Sequence, residues 1–172
     1  MKLYNITCLN SDYSIQKEVY DLSSFGYFES KTIKELVQFL ITTVAKRCQP
    51  KVYTIVEYQN FVCHCKDYKV VITDNEYPNQ SVYQLLFEME KCELCELDYL
   101  IKKYQQPQPQ SQLQKLQLEI DETKHILHKT IETILERGEK IEDLVERSEL
   151  LTLQSKTFFK QAKRHSSCCT FM

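Results

Sequence analysis

The chain has 172 residues, 42% of them hydrophobic, a formal net charge of -2, eight cysteines and only two glycines. That length holds one ordinary domain plus an extra element, and the balanced charge argues against a nucleic-acid binder, which carries a basic excess. No run approaches about 18 apolar residues and no signal-peptide pattern opens the chain, so the expectation is a cytoplasmic protein with reduced thiols that does not span a membrane. The alternation from Lys2 to Cys8 predicts a strand, and Tyr13 to Tyr20, after the turn-rich Asn10, Ser11 and Asp12, a second strand completing a hairpin. The stretch DLSSFGYFES reads as a loop carrying Phe25, Tyr27 and Phe28. From Thr32 to Arg47, Ile33, Leu36, Val37, Leu40, Ile41 and Val44 recur with helical spacing; Phe39, at the edge of that stripe, reads as a core side chain.

Gln49 and Pro50 end that helix, and Val52–Glu57, Phe61–Cys65 and Lys69–Thr73 follow as three short strands rich in Val, Ile, Tyr and Phe. Ser81–Met89 then places Val82, Leu85, Leu86 and Met89 on one helical face, and Cys95–Tyr104 fits another short helix. Two strands, a helix, three strands and one or two helices predict an α+β domain with a five-stranded, mainly antiparallel sheet and flanking helices over residues 1–104. Residues 105–111, with repeated Gln and with Pro107 and Pro109, cannot build a core and read as an extended linker.

Residues 112–166 follow a different rule. Leu113, Leu116, Ile120, Thr123, Leu127, Thr130, Ile134, Arg137, Ile141, Leu144, Ser148, Leu151, Ser155, Phe158, Ala162 and His165 recur in alternating steps of three and four, the coiled-coil period. As one helix the stretch would run about 80 Å, whereas a hundred-residue domain has a radius of gyration of about 13 Å. Its seam must therefore face another protein or fold back in pieces against the N-terminal half. Arg137 interrupts the seam with a permanent charge, five donors and no acceptor, so burying it requires partner helices that bring oxygen acceptors such as Gln. A homo-oligomer in register would gather arginines instead, which points to unlike partners; the alternative is an arginine that snorkels from a flexible or antiparallel helix. Gly138 costs a helix roughly 1 kcal/mol relative to Ala, consistent with a helix that orders on assembly.

Residues 167–172 close the chain with Cys169, Thr170, Phe171 and Met172, a prenylation box whose final Met favours farnesyl, and Cys168 offers a second lipid site. No acidic residue follows Glu149, while Lys156, Lys160, Lys163 and Arg164 do, and a basic patch or second chain makes a single-lipid anchor stable. Zinc is not expected. On a strand, Cys63 and Cys65 share a face and His64 points away, and Cys92 and Cys95 on a helix serve as small apolar residues. Gly26 and Gly138 cannot assemble a phosphate-binding loop, no nucleophile has a local base, and His125 and His128 read as solvated, so no catalytic residue is assigned.

The string DETKHILHKTIETILERGEKIEDLVERSELLTLQSKTFF followed by CCTFM, with MKLY, DLSSFGYFES and ITDNEYP upstream, closely resembles the prenylated longin R-SNAREs, synaptobrevin-like v-SNAREs with a lipid anchor in place of a transmembrane helix. The resemblance implies a profilin-like longin domain followed by a long SNARE helix. Arg137 would be the zero-layer arginine facing glutamines from Qa, Qb and Qc partners in a parallel four-helix bundle. Leu127, Ile134, Ile141, Leu144, Leu151 and Phe158 would be seam layers. Cys169 would carry farnesyl and Cys168 a palmitoyl or second prenyl group, with no other cofactor. Phe39 would help hold a closed, autoinhibited state in which the SNARE segment wraps the longin domain and the lipid is hidden. The function implied is vesicle fusion, the protein cycling between cytoplasm and the cytosolic face of Golgi, ER–Golgi, endosomal or vacuolar membranes. Rival readings are a lipid-anchored coiled-coil tether, which would self-associate, and S-acyl transfer, for which no base stands beside a cysteine. Between its penultimate longin helix and its linker the chain has only MEKCELCELDYLIKKY, shorter than the family's segment. Ser148 and Ser155 occupy seam positions, where phosphate would disrupt packing.

Overall fold

A computed structural model describes residues 1–92, 94–106 and 126–168, with side chains as far as Gln161. Strands β1 (Leu3–Leu9) and β2 (Ile15–Tyr20) form the expected hairpin, and β3 (Tyr53–Tyr58), β4 (Phe61–Lys66) and β5 (Lys69–Asp74) form the meander. β1 lies between β2 and β5, so the sheet runs β2-β1-β5-β4-β3 and continues into one more strand, β6 (Ile126–Thr130). Among the described residues the sheet thus has six strands, not the expected five. The sixth comes from the segment whose period predicts helix, and it pairs parallel with β3 from Tyr53↔Ile126 to Glu57↔Thr130. Without it β3 would present a row of unpaired amide and carbonyl groups at the sheet edge. The other pairings are antiparallel.

Helix α1 (Tyr27–Ala45) begins earlier than its apolar stripe. The Glu29 carboxylate accepts from the Gly26 amide at 3.2 Å, and Ser30 donates to the Gly26 carbonyl at 2.8 Å, which draws Tyr27 and Phe28 out of the expected loop into an exposed first turn. Helix α2 (Asn79–Lys91), a 3₁₀ turn (Leu94–Glu96) and helix α3 (Leu97–Lys103) follow. Alternation along the strands separates two cores. Val56, Cys63, Cys65, Val70 and Ile72 point toward α1, while Leu3, Ile55, Val62 and Val71 point toward α2 and α3. His64, between Cys63 and Cys65, faces the second core. Its ring bonds the Tyr53 hydroxyl at 2.7 Å and Thr73 at 3.3 Å, and burial, with His128 nearby, pushes its pKa down to about 3, so it stays neutral. Cys92 caps α2 and Cys95 lies in the 3₁₀ turn rather than on a helix, and among the described residues no cluster of His, Cys, Asp and Glu is placed to hold a metal.

The C-terminal segment is not one long helix in this structure. After β6 come helices α4 (Ile131–Ile134), α5 (Ile141–Arg147) and α6 (Leu153–Cys168). A free amphipathic helix of that length has nothing to cover its apolar stripe. Broken at two points, it lays that surface on the α1 side of the sheet, and Ile131, Ile134, Ile141, Val145, Leu151 and Phe159 join the core built by α1.

Candidate functional site: the C-terminal segment against the N-terminal domain

The two breaks have local causes. Between α4 and α5, Gly138 adopts φ +87, a left-handed conformation that L side chains rarely take, and the turn closes when the Glu139 amide donates to the Glu136 carbonyl at 2.9 Å. Between α5 and α6, Thr152 precedes the new helix as its N-cap, its hydroxyl oxygen 3.4 Å from the Ser155 amide.

Each break is fastened to α1. The Arg47 guanidinium donates to both Glu139 carboxylate oxygens at 2.9 Å, and that bond holds the Glu139 carboxyl below the usual glutamate range. At the second break a single oxygen of Glu35 accepts from the Thr152 amide at 3.0 Å, the Thr152 hydroxyl at 2.9 Å and the Ser155 hydroxyl at 2.7 Å. Partial burial acts to raise the Glu35 pKa, but these bonds, with Lys31 nearby, outweigh it and leave the carboxyl low. Glu35 thereby supplies from another helix the negative charge that favours the start of α6. Farther along α6, Phe159 stacks on Tyr58 with ring centroids 5.5 Å apart. Lys160 pairs with Glu146 and ties α6 to α5.

The residues expected from the sequence fall into two groups. Ile134, Ile141, Leu151 and Ser155 are buried against the domain. Leu127 on the edge strand is 42% exposed, Phe158 is 37% exposed and Leu144 is half-buried. Arg137 is exposed in the turn, and no ion pair to it occurs among the described residues. Phe39 is buried in the core that α1 shares with the C-terminal segment. Cys168 ends α6, while Cys169 and the seam positions from Leu113 to Thr123 lie outside the described residues. Sequence reasoning missed Glu35, Arg47 and Glu139, for which no pattern speaks. It also missed Ile131, Val145 and Phe159, whose signal was present: each directly follows a seam position.

A mixed α/β domain whose sheet edge and first helix hold down a heptad-patterned segment centred on an arginine defines a longin-type R-SNARE. Residues 112–168 match the Synaptobrevin family. The chain belongs to the Ykt6 family of synaptobrevin homologues, as relatives spanning nearly its whole length show. It is 38% identical to the synaptobrevin homolog ykt6 of Schizosaccharomyces pombe over an alignment of 194 positions that covers 98% of each chain. It is also 38% identical to YKT6 of Saccharomyces cerevisiae, over 90% of each chain, and to YKT6 of Yarrowia lipolytica, over 100% of each. The alignment with the Yarrowia protein runs to 200 positions against the 172 residues here, so gaps fall in this chain. These relatives are named as synaptobrevin homologues, and the chain is an R-SNARE with a role in vesicle fusion. Among the described residues no helix is long and apolar enough to cross a membrane.

Proposed function

We propose that the chain is the R-SNARE of a four-helix bundle completed by Qa, Qb and Qc helices, with Arg137 at its central layer and Leu127, Ile134, Ile141, Leu144, Leu151 and Phe158 in the layers around it. The observation that carries this reading is the way the segment is stored. Four of the ten seam positions from Leu127 to Phe158, namely Ile134, Ile141, Leu151 and Ser155, are buried against the longin domain, and Arg137 is left in solvent at a turn. A guanidinium without acceptors is excluded from an apolar core, whereas glutamine oxygens on three partner helices would satisfy it. Assembly therefore requires release from α1 and β3, refolding of the strand and three short helices into one helix, and zippering toward the tail.

The anchor belongs to the same proposal: farnesyl on Cys169, a palmitoyl or second prenyl group on Cys168, and the basic residues Lys156, Lys160, Lys163 and Arg164 beside an anionic leaflet. Two lipids would hold the protein on the cytosolic face of Golgi, ER–Golgi, endosomal or vacuolar membranes, and loss of the second would return it to the cytoplasm in the closed form. Mixing the full chain with Qa, Qb and Qc SNARE fragments tests the bundle. Arg137→Glu should abolish the stable complex, and a complex of normal stability would remove the central-layer assignment. Cys169→Ser should leave the protein in the soluble fraction of cells, and unchanged membrane recovery would exclude the prenyl box.

A further inference from the structure

We infer that the C-terminal segment carries two recognition faces, the seam for other SNAREs and a second stripe, Ile131, Val145 and Phe159, that is read only by the chain's own longin domain. The inference rests on the R-SNARE reading and adds to it the surface that holds the closed state.

The three residues stand two heptads apart, and each directly follows a seam position, Thr130, Leu144 or Phe158. Consecutive residues of an α-helix point about 100° apart, so in an assembled bundle Ile131, Val145 and Phe159 would lie on its flank, outside the layers. In the closed structure the domain covers Ile134, Ile141, Leu151 and Ser155 of the seam together with this second stripe. Ile131 is 0%, Val145 1% and Phe159 1% exposed, while the seam neighbours Leu144 and Phe158 keep part of their surface in water. The two intervening positions of the same register also serve the closed state alone: Gly138 makes the left-handed turn, and Thr152 donates to Glu35. Every member of this register from Ile131 to Phe159 thus has a task in the closed state and none in the layers. Accessible Leu127, Leu144 and Phe158 leave incoming SNARE helices a seam to start on before the second stripe lets go.

The neighbours Val145 and Leu144, on one short helix, allow the faces to be tested separately in the full chain. Amide hydrogen exchange of residues 126–161 reads the closed state of the free protein, and the melting temperature of the complex with Qa, Qb and Qc SNARE fragments reads the bundle. Val145→Asp should speed exchange across 126–161 at least tenfold while β1 to β5 stay protected, and its bundle should melt with the wild type. Leu144→Asp should lower the bundle's melting temperature and leave exchange closer to wild type. The inference is overturned if Val145→Asp weakens the bundle as much as Leu144→Asp does, or leaves exchange unchanged. Should Val145→Asp disturb β1 to β5, Val145→Ala and Phe159→Ala put the same question with smaller perturbations and the same two readouts. Failure of the R-SNARE reading itself looks different: Leu144→Asp and Arg137→Glu would both leave the melting temperature where it was, whatever Val145→Asp did.

Discussion

Replacing Gly138 by Ala should drive the protein from the closed to the assembled form. In the closed state Gly138 has φ +87, and a Cβ built there meets nothing within 4 Å, so the cost comes from the backbone alone. Holding an L residue in the left-handed region costs roughly 1 to 2 kcal/mol. In the bundle the same position is the interior of a continuous helix, where Ala is better than Gly by about 1 kcal/mol. The two effects act in one direction and total roughly 2 to 3 kcal/mol, about a 30- to 150-fold shift at 1.4 kcal/mol per factor of ten. They are also separable. The first appears in the free chain as faster amide exchange of residues 126–161, the second as slower dissociation of the assembled Q-SNARE complex. Gly138→Asn is the control, because Asn tolerates the left-handed region yet is a poor helix former, so it should keep the closed state and lose the gain in assembly. If Gly138→Ala exchanges at the wild-type rate and assembles no faster, the turn is not what separates the two states.

Acid should loosen the closed form through Glu35. Its carboxyl is held low in the closed state, so its contribution is complete above the open-state pKa, near the ordinary glutamate value of about 4.3, and is lost as pH falls through the lower closed-state value. Protection of the Thr152–Ser155 amides, measured against their intrinsic exchange at each pH, should therefore fall on acidification, and Glu35→Ala should show the lowered protection at neutral pH and flatten that dependence. Arg47→Ala removes the Nη2 donor shared by both Glu139 carboxylate oxygens and should speed exchange in the Glu136–Lys140 turn, with the difference from wild type shrinking at high salt. Phe159→Ala empties a fully buried site stacked on Tyr58 and should destabilise the closed form by about 3 to 5 kcal/mol, read by urea titration of the free chain.

Strand alternation made the five strands of the N-terminal domain legible, and a helical stripe gave α1, because both patterns report which face of an element is buried. They were silent on the sixth strand. Residues Ile126–Thr130 carry a coiled-coil pattern, and nothing local says that the vacant edge of β3 takes them first. The 3.5 period itself could be read because it depends on spacing within one helix. The contacts of the closed state were not, since Glu35 and Glu139 are ordinary carboxylates until α1 is placed beside them. Ile131, Val145 and Phe159 lie between these cases: their heptad spacing was visible, but a stripe one step off the seam has no meaning until a second partner surface is known.

The charge in the seam and the turn beside it are one design constraint. Any closed state that buries the seam against the longin domain meets Arg137, which that apolar core cannot accept. Laying α4 and α5 down as one helix would carry the guanidinium along the same surface as Ile134 and Ile141. The chain instead leaves the core at Arg137, turns in solvent through Gly138 and returns at Ile141, with Glu139 fastened to Arg47 on the way. The residue proposed to fix the register of the assembled bundle therefore also decides where the stored form must break. It follows that Arg137→Leu, which removes the charge and keeps an apolar seam, should weaken selection of glutamine-bearing partners and relax the need for a turn at this point in the free chain. A variant that kept wild-type exchange in Glu136–Lys140 would show the break to be set by Gly138 and the Arg47–Glu139 pair alone.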